Sequence, residues 1–110
     1  MTLTLQDRCA VVTGGAHGIG RALAESLAER GARVVVADVQ VERAQRVAER
    51  IGGRAVACDV GDPAQINALV AEAESAFGPI AVFCSNAGIG DLGDGLASSL
   101  DQIDRVLAID

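Results

Sequence analysis

Thr13-Gly14-Gly15-Ala16-His17-Gly18-Ile19-Gly20 is the stretch whose residue types and spacing could do chemistry. It follows an apolar run, Cys9 to Val12, and opens a segment with helical periodicity. A strand, a glycine turn and a helix in that order form a corner that holds the phosphates of a dinucleotide. Gly14 lets the chain turn sharply off the strand end, because it carries no Cβ. Gly18 lets the backbone approach a pyrophosphate, and Gly20 lets the helix pack tightly on the sheet. The N–H groups of the first helical turn, at the positive end of the helix dipole, then face the anion. A glycine-rich turn can also be only a turn, so the surroundings have to decide.

Asp38 lies at the end of the next β-branched run, Arg33 to Ala37, at the distance expected of a ribose-binding acid. A carboxylate there can accept both ribose hydroxyls of an adenosine half and repels a 2′-phosphate. At about 4 Å and an effective dielectric near 20, each like-charge pair costs roughly 4 kcal/mol before screening. Val39, which follows, supplies no cation to offset this. NAD over NADP is the expectation. The alternative for Asp38 is a helix N-cap for the segment that begins at Val41.

The elements that must position these residues alternate along the chain. Residues 8–13 form a strand, and 18–30 a helix with Ile19, Ala22, Leu23, Ser26 and Leu27 on one face. Gly31 stops it. After the second strand, Val41 to Ile51 places Val41, Ala44, Val47, Ala48 and Ile51 on one helical face. Ala55 to Cys58 is a third strand. Asp62-Pro63 starts a helix, with a side-chain acceptor at N-cap and Pro at N1. Its buried stripe is Ile66, Leu69, Val70, Ala73 and Phe77. Ile80 to Cys84 is a fourth strand, continuous in apolar character and so expected to be buried on both faces. A Gly- and Asp-rich loop follows, from Asn86 to Gly95, and a last amphipathic piece with Leu100, Ile103, Val106 and Leu107 is helical up to Asp110. This β-α-β-α-β-α-β pattern implies an α/β fold with a doubly wound parallel sheet, strand order 3-2-1-4 and right-handed crossovers. The glycine turn, Asp38, Asp59 and Asn86 all fall at carboxyl ends of strands, where such a sheet binds ligands.

Composition narrows the function. The 110 residues are half hydrophobic but only 2% aromatic, which suits a buried parallel sheet under Ala-rich helices. Net charge is −6, every cation is Arg, and no basic patch interrupts the chain, which argues against nucleic acid or an anionic membrane surface as partner. Apolar runs are of strand length, and the N-terminus lacks the pattern of a signal peptide. A cytoplasmic location is expected. Cys9, Cys58 and Cys84 are far apart and read as buried free thiols in strands. With His17 the only histidine, no metal site is expected. The Asp91-Leu92-Gly93-Asp94-Gly95 loop lacks calcium-loop spacing and reads as a substrate-side loop.

Three motifs in order resemble the short-chain dehydrogenase/reductase family: T-G-x-x-x-G-x-G at Thr13 to Gly20, Asp59-Val60 after the third strand, and Asn86-Ala87-Gly88 after the fourth. The resemblance covers essentially the whole chain and implies a Rossmann-type cofactor fold. It places Gly14, Gly18, Ile19 and Gly20 along the pyrophosphate, with His17 inside the same turn. It places Asp38 at the adenosine ribose with Val39 beside it, and Asp59 with Val60 at the adenine. Asn86 would steady the sheet centre near Thr13, and Ala87-Gly88 would pass under the cofactor. The alternatives are turn or helix capping for Asp59 and an ordinary turn for Asn86-Ala87-Gly88.

The chain departs from the family pattern in three ways. Ser85 stands where the family usually has a second Asn, and Asp110 where it has a helix Asn that completes the proton relay; a carboxylate cannot donate as an amide does. The family's chemistry also needs a Tyr acid/base, a Lys four residues on and a Ser from a later strand, yet the chain has no Tyr and no Lys. The expectation is therefore residues 1–110 as an NAD-binding Rossmann half-domain, ending inside a helix and without catalytic residues. It would be the front part of an oxidoreductase that moves hydride between NAD(H) and a small-molecule alcohol or carbonyl substrate. The family is usually homo-oligomeric. The alternative is a non-catalytic dinucleotide-binding or interaction module that needs a partner chain to cover its fourth strand.

Overall fold

A computed structural model describes residues 4–16 and 18–85. Its elements are β1 (Cys9–Thr13), α1 (Gly18–Glu29), β2 (Arg33–Asp38), α2 (Val41–Ile51), β3 (Arg54–Ala57), α3 (Pro63–Phe77) and β4 (Ile80–Cys84). The strands form one parallel sheet in the order β3-β2-β1-β4, with Val11 opposite Val35 on one side and Phe83 on the other. This is the expected Rossmann-type arrangement. The order reverses between β1 and β4, and sheets of this kind bind ligands at the carboxyl ends beside that point.

Alternation along the strands divides the core in two. Ala10, Val12, Val34 and Val36 point to one face and pack under Leu23, Ala24 and Leu27 of α1 and Ala44, Val47 and Ala48 of α2. Cys9, Val11, Val35 and Ala37 point to the other, under Leu69 and Ala73 of α3. β1 and β2 are buried along their apolar lengths, with Arg33 alone exposed. Short, branched side chains fill this space because parallel strands are covered on both sides.

Start signals act as expected at α3. Asp62 is its N-cap, with Oδ1 accepting from the Ala64 N–H at 3.0 Å, and Pro63 occupies the first turn. The Gln65 amide also donates to Asp62 Oδ2 at 3.2 Å.

Three expectations need correction. The buried face of α1 is Ile19, Gly20, Leu23, Ala24 and Leu27, while Ala22 and Ser26 are half-buried. Packing against α2 as well as the sheet turns the buried arc toward Gly20 and Ala24. β3 begins one residue earlier, at Arg54, and Cys58 lies just beyond it, donating its N–H to the Asp38 carbonyl at 3.2 Å. β4 is not buried on both faces: only Val82 is buried, and Phe83 is 40% exposed. Its register against β1 skips Ala81, and Phe83 joins neither core cluster.

The helix expected around Leu100 to Leu107, the loop expected at Asp91–Gly95 and Asp110 lie outside the described residues.

Candidate functional site

β1 ends at Thr13, which is 1% exposed and donates its hydroxyl to the Cys84 carbonyl at 3.3 Å, joining the two strands between which the order reverses. Gly14 follows with φ +64°, a left-handed conformation that side chains with a Cβ rarely adopt. Gly15 sits tightly against the sheet: a Cβ there would stand 2.9 Å from Val36 Cγ1 and 3.1 Å from the Val12 carbonyl oxygen. Its N–H donates to the Ala37 carbonyl at 3.2 Å. The turn is therefore folded onto the end of β2.

Gly18 opens α1 with φ +58°, and nothing stands within 4 Å of where its Cβ would be. An anion can approach this backbone closely, and the first N–H groups of α1 have no partner within the helix. Gly20 is buried, as expected of a close helix–sheet contact. Ile19 is buried too, with its side chain in the core between α1, α2 and the sheet.

Asp38 ends β2 and is 5% exposed. Its Oδ2 accepts the Ala16 N–H at 3.2 Å, and its Oδ1 accepts the Gln40 N–H at 2.9 Å. Gln40, not Asp38, is the residue that precedes α2, and it makes no side-chain cap. Asp38 thus stands beside the glycine turn rather than capping α2. Val39, next along, is 65% exposed.

Asp38 is opposite Ala57 in the sheet, so Val39 and the Asp59-Val60 pair leave adjacent strand ends. Val60 is 38% exposed. Two exposed apolar side chains at neighbouring strand ends can hold the faces of a planar ring. Asp59 Oδ1 accepts the Gly61 N–H at 2.9 Å, and the Asp59 N–H donates to Gln65 Oε1 at 2.8 Å. Asp59 therefore does build the turn ahead of α3.

His17, Asn86, Ala87 and Gly88 lie outside the described residues. The structure brings Gly14, Gly18, Ile19, Gly20, Asp38, Val39, Asp59 and Val60 to one end of the sheet. Sequence reasoning missed three features there: the tight seat of Gly15, the Ala16–Asp38 hydrogen bond and the Thr13–Cys84 link. The doubled glycine was the only visible signal for any of them.

All three thiols are free. Burial pushes the Cys84 thiol up to about 11. Cys9 is raised by burial and then by Glu74, and Cys58 by burial and then by Asp59 and Asp62. None is activated as a nucleophile. Among the described residues no group of three or more His, Cys, Asp or Glu could hold a metal, and no helix is long and apolar enough to cross a membrane.

The arrangement fits a dinucleotide: an open backbone cradle at a helix start, a buried acceptor beside it and apolar walls beyond. Comparison with known proteins agrees. The family model for short chain dehydrogenases matches residues 8–110. Sorbitol dehydrogenase of Cereibacter sphaeroides is 39% identical over 109 residues, covering 97% of this chain and 43% of that protein. The (-)-isopiperitenol/(-)-carveol dehydrogenase of Mentha piperita, a mitochondrial protein, is 42% identical over 111 residues, covering 96% and 42%. Among solved structures, a hydroxysteroid dehydrogenase from Escherichia coli superposes with a TM-score of 0.70 at 30% identity, over 94% of this chain and 52% of that one. A Brucella melitensis 16M structure described as ribose-5-phosphate isomerase gives 0.73 at 35% identity, over 96% and 43%. The chain spans less than half the length of the two dehydrogenase sequences it matches. With the family model matched over nearly all of its residues and the glycine turn built as described, the chain belongs to the short-chain dehydrogenase family.

Proposed function

We propose that this chain is the NAD-binding Rossmann part, residues 1–110, of an oxidoreductase that moves hydride between NAD(H) and an alcohol or carbonyl substrate. Members of its family bind nicotinamide dinucleotides and act on small molecules. In this reading Gly14, His17, Gly18, Ile19 and Gly20 hold the pyrophosphate. Asp38 and Val39 take the adenosine ribose, Asp59 and Val60 the adenine, and Asn86, Ala87 and Gly88 the underside of the cofactor. The nicotinamide ring, when bound, supplies the hydride acceptor or donor. The residues of this chain bind and orient the cofactor and exclude water from one side of it.

The observation that carries the NAD preference is Asp38, a 5% exposed carboxylate beside the glycine turn and followed by Val39 rather than a cation. A 2′-phosphate would meet that charge at close range. The absence of any Tyr or Lys supports a chain that binds cofactor without turning over substrate by itself. Titrating the chain with NADH and NADPH tests the reading: NADH is expected to bind more tightly, and equal affinity would sink the preference. A cytoplasmic setting is part of the proposal.

One observation favours a second reading, a non-catalytic module that pairs with another chain: Phe83 is 40% exposed on an apolar strand. Such a strand invites pairing. A discrete soluble oligomer in sedimentation supports the module; aggregate supports the separated part of a longer enzyme.

A further inference from the structure

Three strand ends meet at one residue. The Asp38 carboxylate takes the Ala16 N–H from the glycine turn and the Gln40 N–H ahead of α2, while its main-chain carbonyl takes the Cys58 N–H from beyond β3. One position earlier, the Ala37 carbonyl accepts the Gly15 N–H. The glycine turn therefore hangs from the end of β2 by two consecutive N–H groups, one bonded to main chain and the other to a side chain. Ala16 is 6% exposed and Asp38 5%, so water does not readily replace the second bond. A buried N–H left without its acceptor would favour another path for the turn, and the turn is what shapes the phosphate cradle at Gly18.

We propose that Asp38 is a positioning residue for the phosphate-binding turn, acting through Ala16, in addition to receiving the adenosine ribose. The inference rests on the cofactor reading above. It makes the ribose and pyrophosphate subsites one unit, because a single carboxylate serves both.

The two roles separate with a ligand that lacks the hydroxyls. 2′,3′-Dideoxy-ADP keeps the adenine and the diphosphate and offers Asp38 nothing to accept. Charge alone works in the opposite direction, since removing a carboxylate near a diphosphate tightens binding. Binding of ADP and dideoxy-ADP is measured on the full chain, wild type, Asp38→Ala and Asp38→Asn, with folding checked by thermal melts. Asp38→Ala is expected to weaken dideoxy-ADP by about fivefold or more, the worth of one hydrogen bond. Asp38→Asn, which keeps one acceptor oxygen, is expected to lie closer to wild type. Unchanged or tighter binding of dideoxy-ADP to Asp38→Ala overturns the inference and leaves the cofactor reading standing. A wild-type chain that binds neither ligand overturns both.

Amide hydrogen exchange at Ala16 in the wild type reads the same bond with no substitution, should Asp38→Ala fail to fold. Exchange slowed by about a hundredfold or more is expected. Exchange at the rate of an unstructured chain overturns the inference.

Discussion

The Thr13 hydroxyl donates to the Cys84 carbonyl at 3.3 Å, tying the ends of β1 and β4 across the point where the strand order reverses. The two residues are 71 apart in sequence. Thr13 is 1% exposed, so the donor side of the bond is sheltered from water. Thr13→Val keeps the shape and removes the donor; it is expected to cost about 1 kcal/mol in urea unfolding. Thr13→Ser, which keeps the donor, is expected to recover most of the bond's contribution while losing some packing. A Thr13→Val variant as stable as wild type would show that the hydroxyl contributes nothing.

The thiols make stability depend on alkaline pH. All three are raised above the ordinary 9.0 in the folded chain, Cys84 to about 11, chiefly by burial. The folded state thus holds these protons more tightly than the unfolded chain does. Stability is fully present below about pH 9 and is lost as pH rises through about 11. No Tyr or Lys side chain titrates in that window, because the chain contains neither. Urea midpoints are expected to fall from about pH 9 upward, and Cys84→Ala to flatten the slope. A slope unchanged by that substitution would contradict the assignment to Cys84.

Gly53 leaves no room for a side chain. A Cβ there would stand 2.4 Å from the Val34 carbonyl oxygen, a main-chain atom that cannot swing aside. Gly53→Ala is expected to cost roughly 1–3 kcal/mol, read as a lowered thermal or urea midpoint. The same change is expected to weaken NADH binding only in proportion to lost fold, because Gly53 precedes β3 at the end of the sheet away from Asp38.

Cofactor preference is expected to yield to a paired change. Asp38→Ser removes the charge that repels a 2′-phosphate, and Val39→Arg places a cation at a position that is 65% exposed. The double variant is expected to raise NADPH affinity relative to NADH by roughly tenfold, about 1.4 kcal/mol. Fluorescence titration with the two reduced cofactors checks it, and an unmoved ratio would show that Asp38 does not set the preference.

How much of this was legible in the sequence follows from the range of the forces involved. Helix starts and stops are local, so Asp62-Pro63 marked the beginning of α3 and Gly31 the end of α1. The apolar positions of α2 and α3 followed the period of 3.6 closely enough to name Ala44, Val47, Leu69 and Ala73 as buried, while Ile66, Val70 and Phe77 of the expected α3 stripe are half-buried. For α1 the same rule misplaced Ala22 and Ser26, because a second helix as well as the sheet presses on that element. β4 misled for a related reason. Its unbroken apolar run implies two covered faces, but burial depends on which elements lie over the strand, and Phe83 lies under neither core cluster.

By itself the sequence determined the alternating elements, their parallel order 3-2-1-4 and the meeting of the glycine turn with Asp38 at one end of the sheet. Periodicity, capping and connection handedness are properties of short stretches and simple topology. Only the tertiary structure decided that Ala16 donates to Asp38 and Thr13 to Cys84. It alone decided that Gly15 seats against Val36 and that β4 leaves Phe83 exposed. Those are contacts of a few ångströms between distant residues, set by how whole layers come to rest on one another, and no local pattern encodes them.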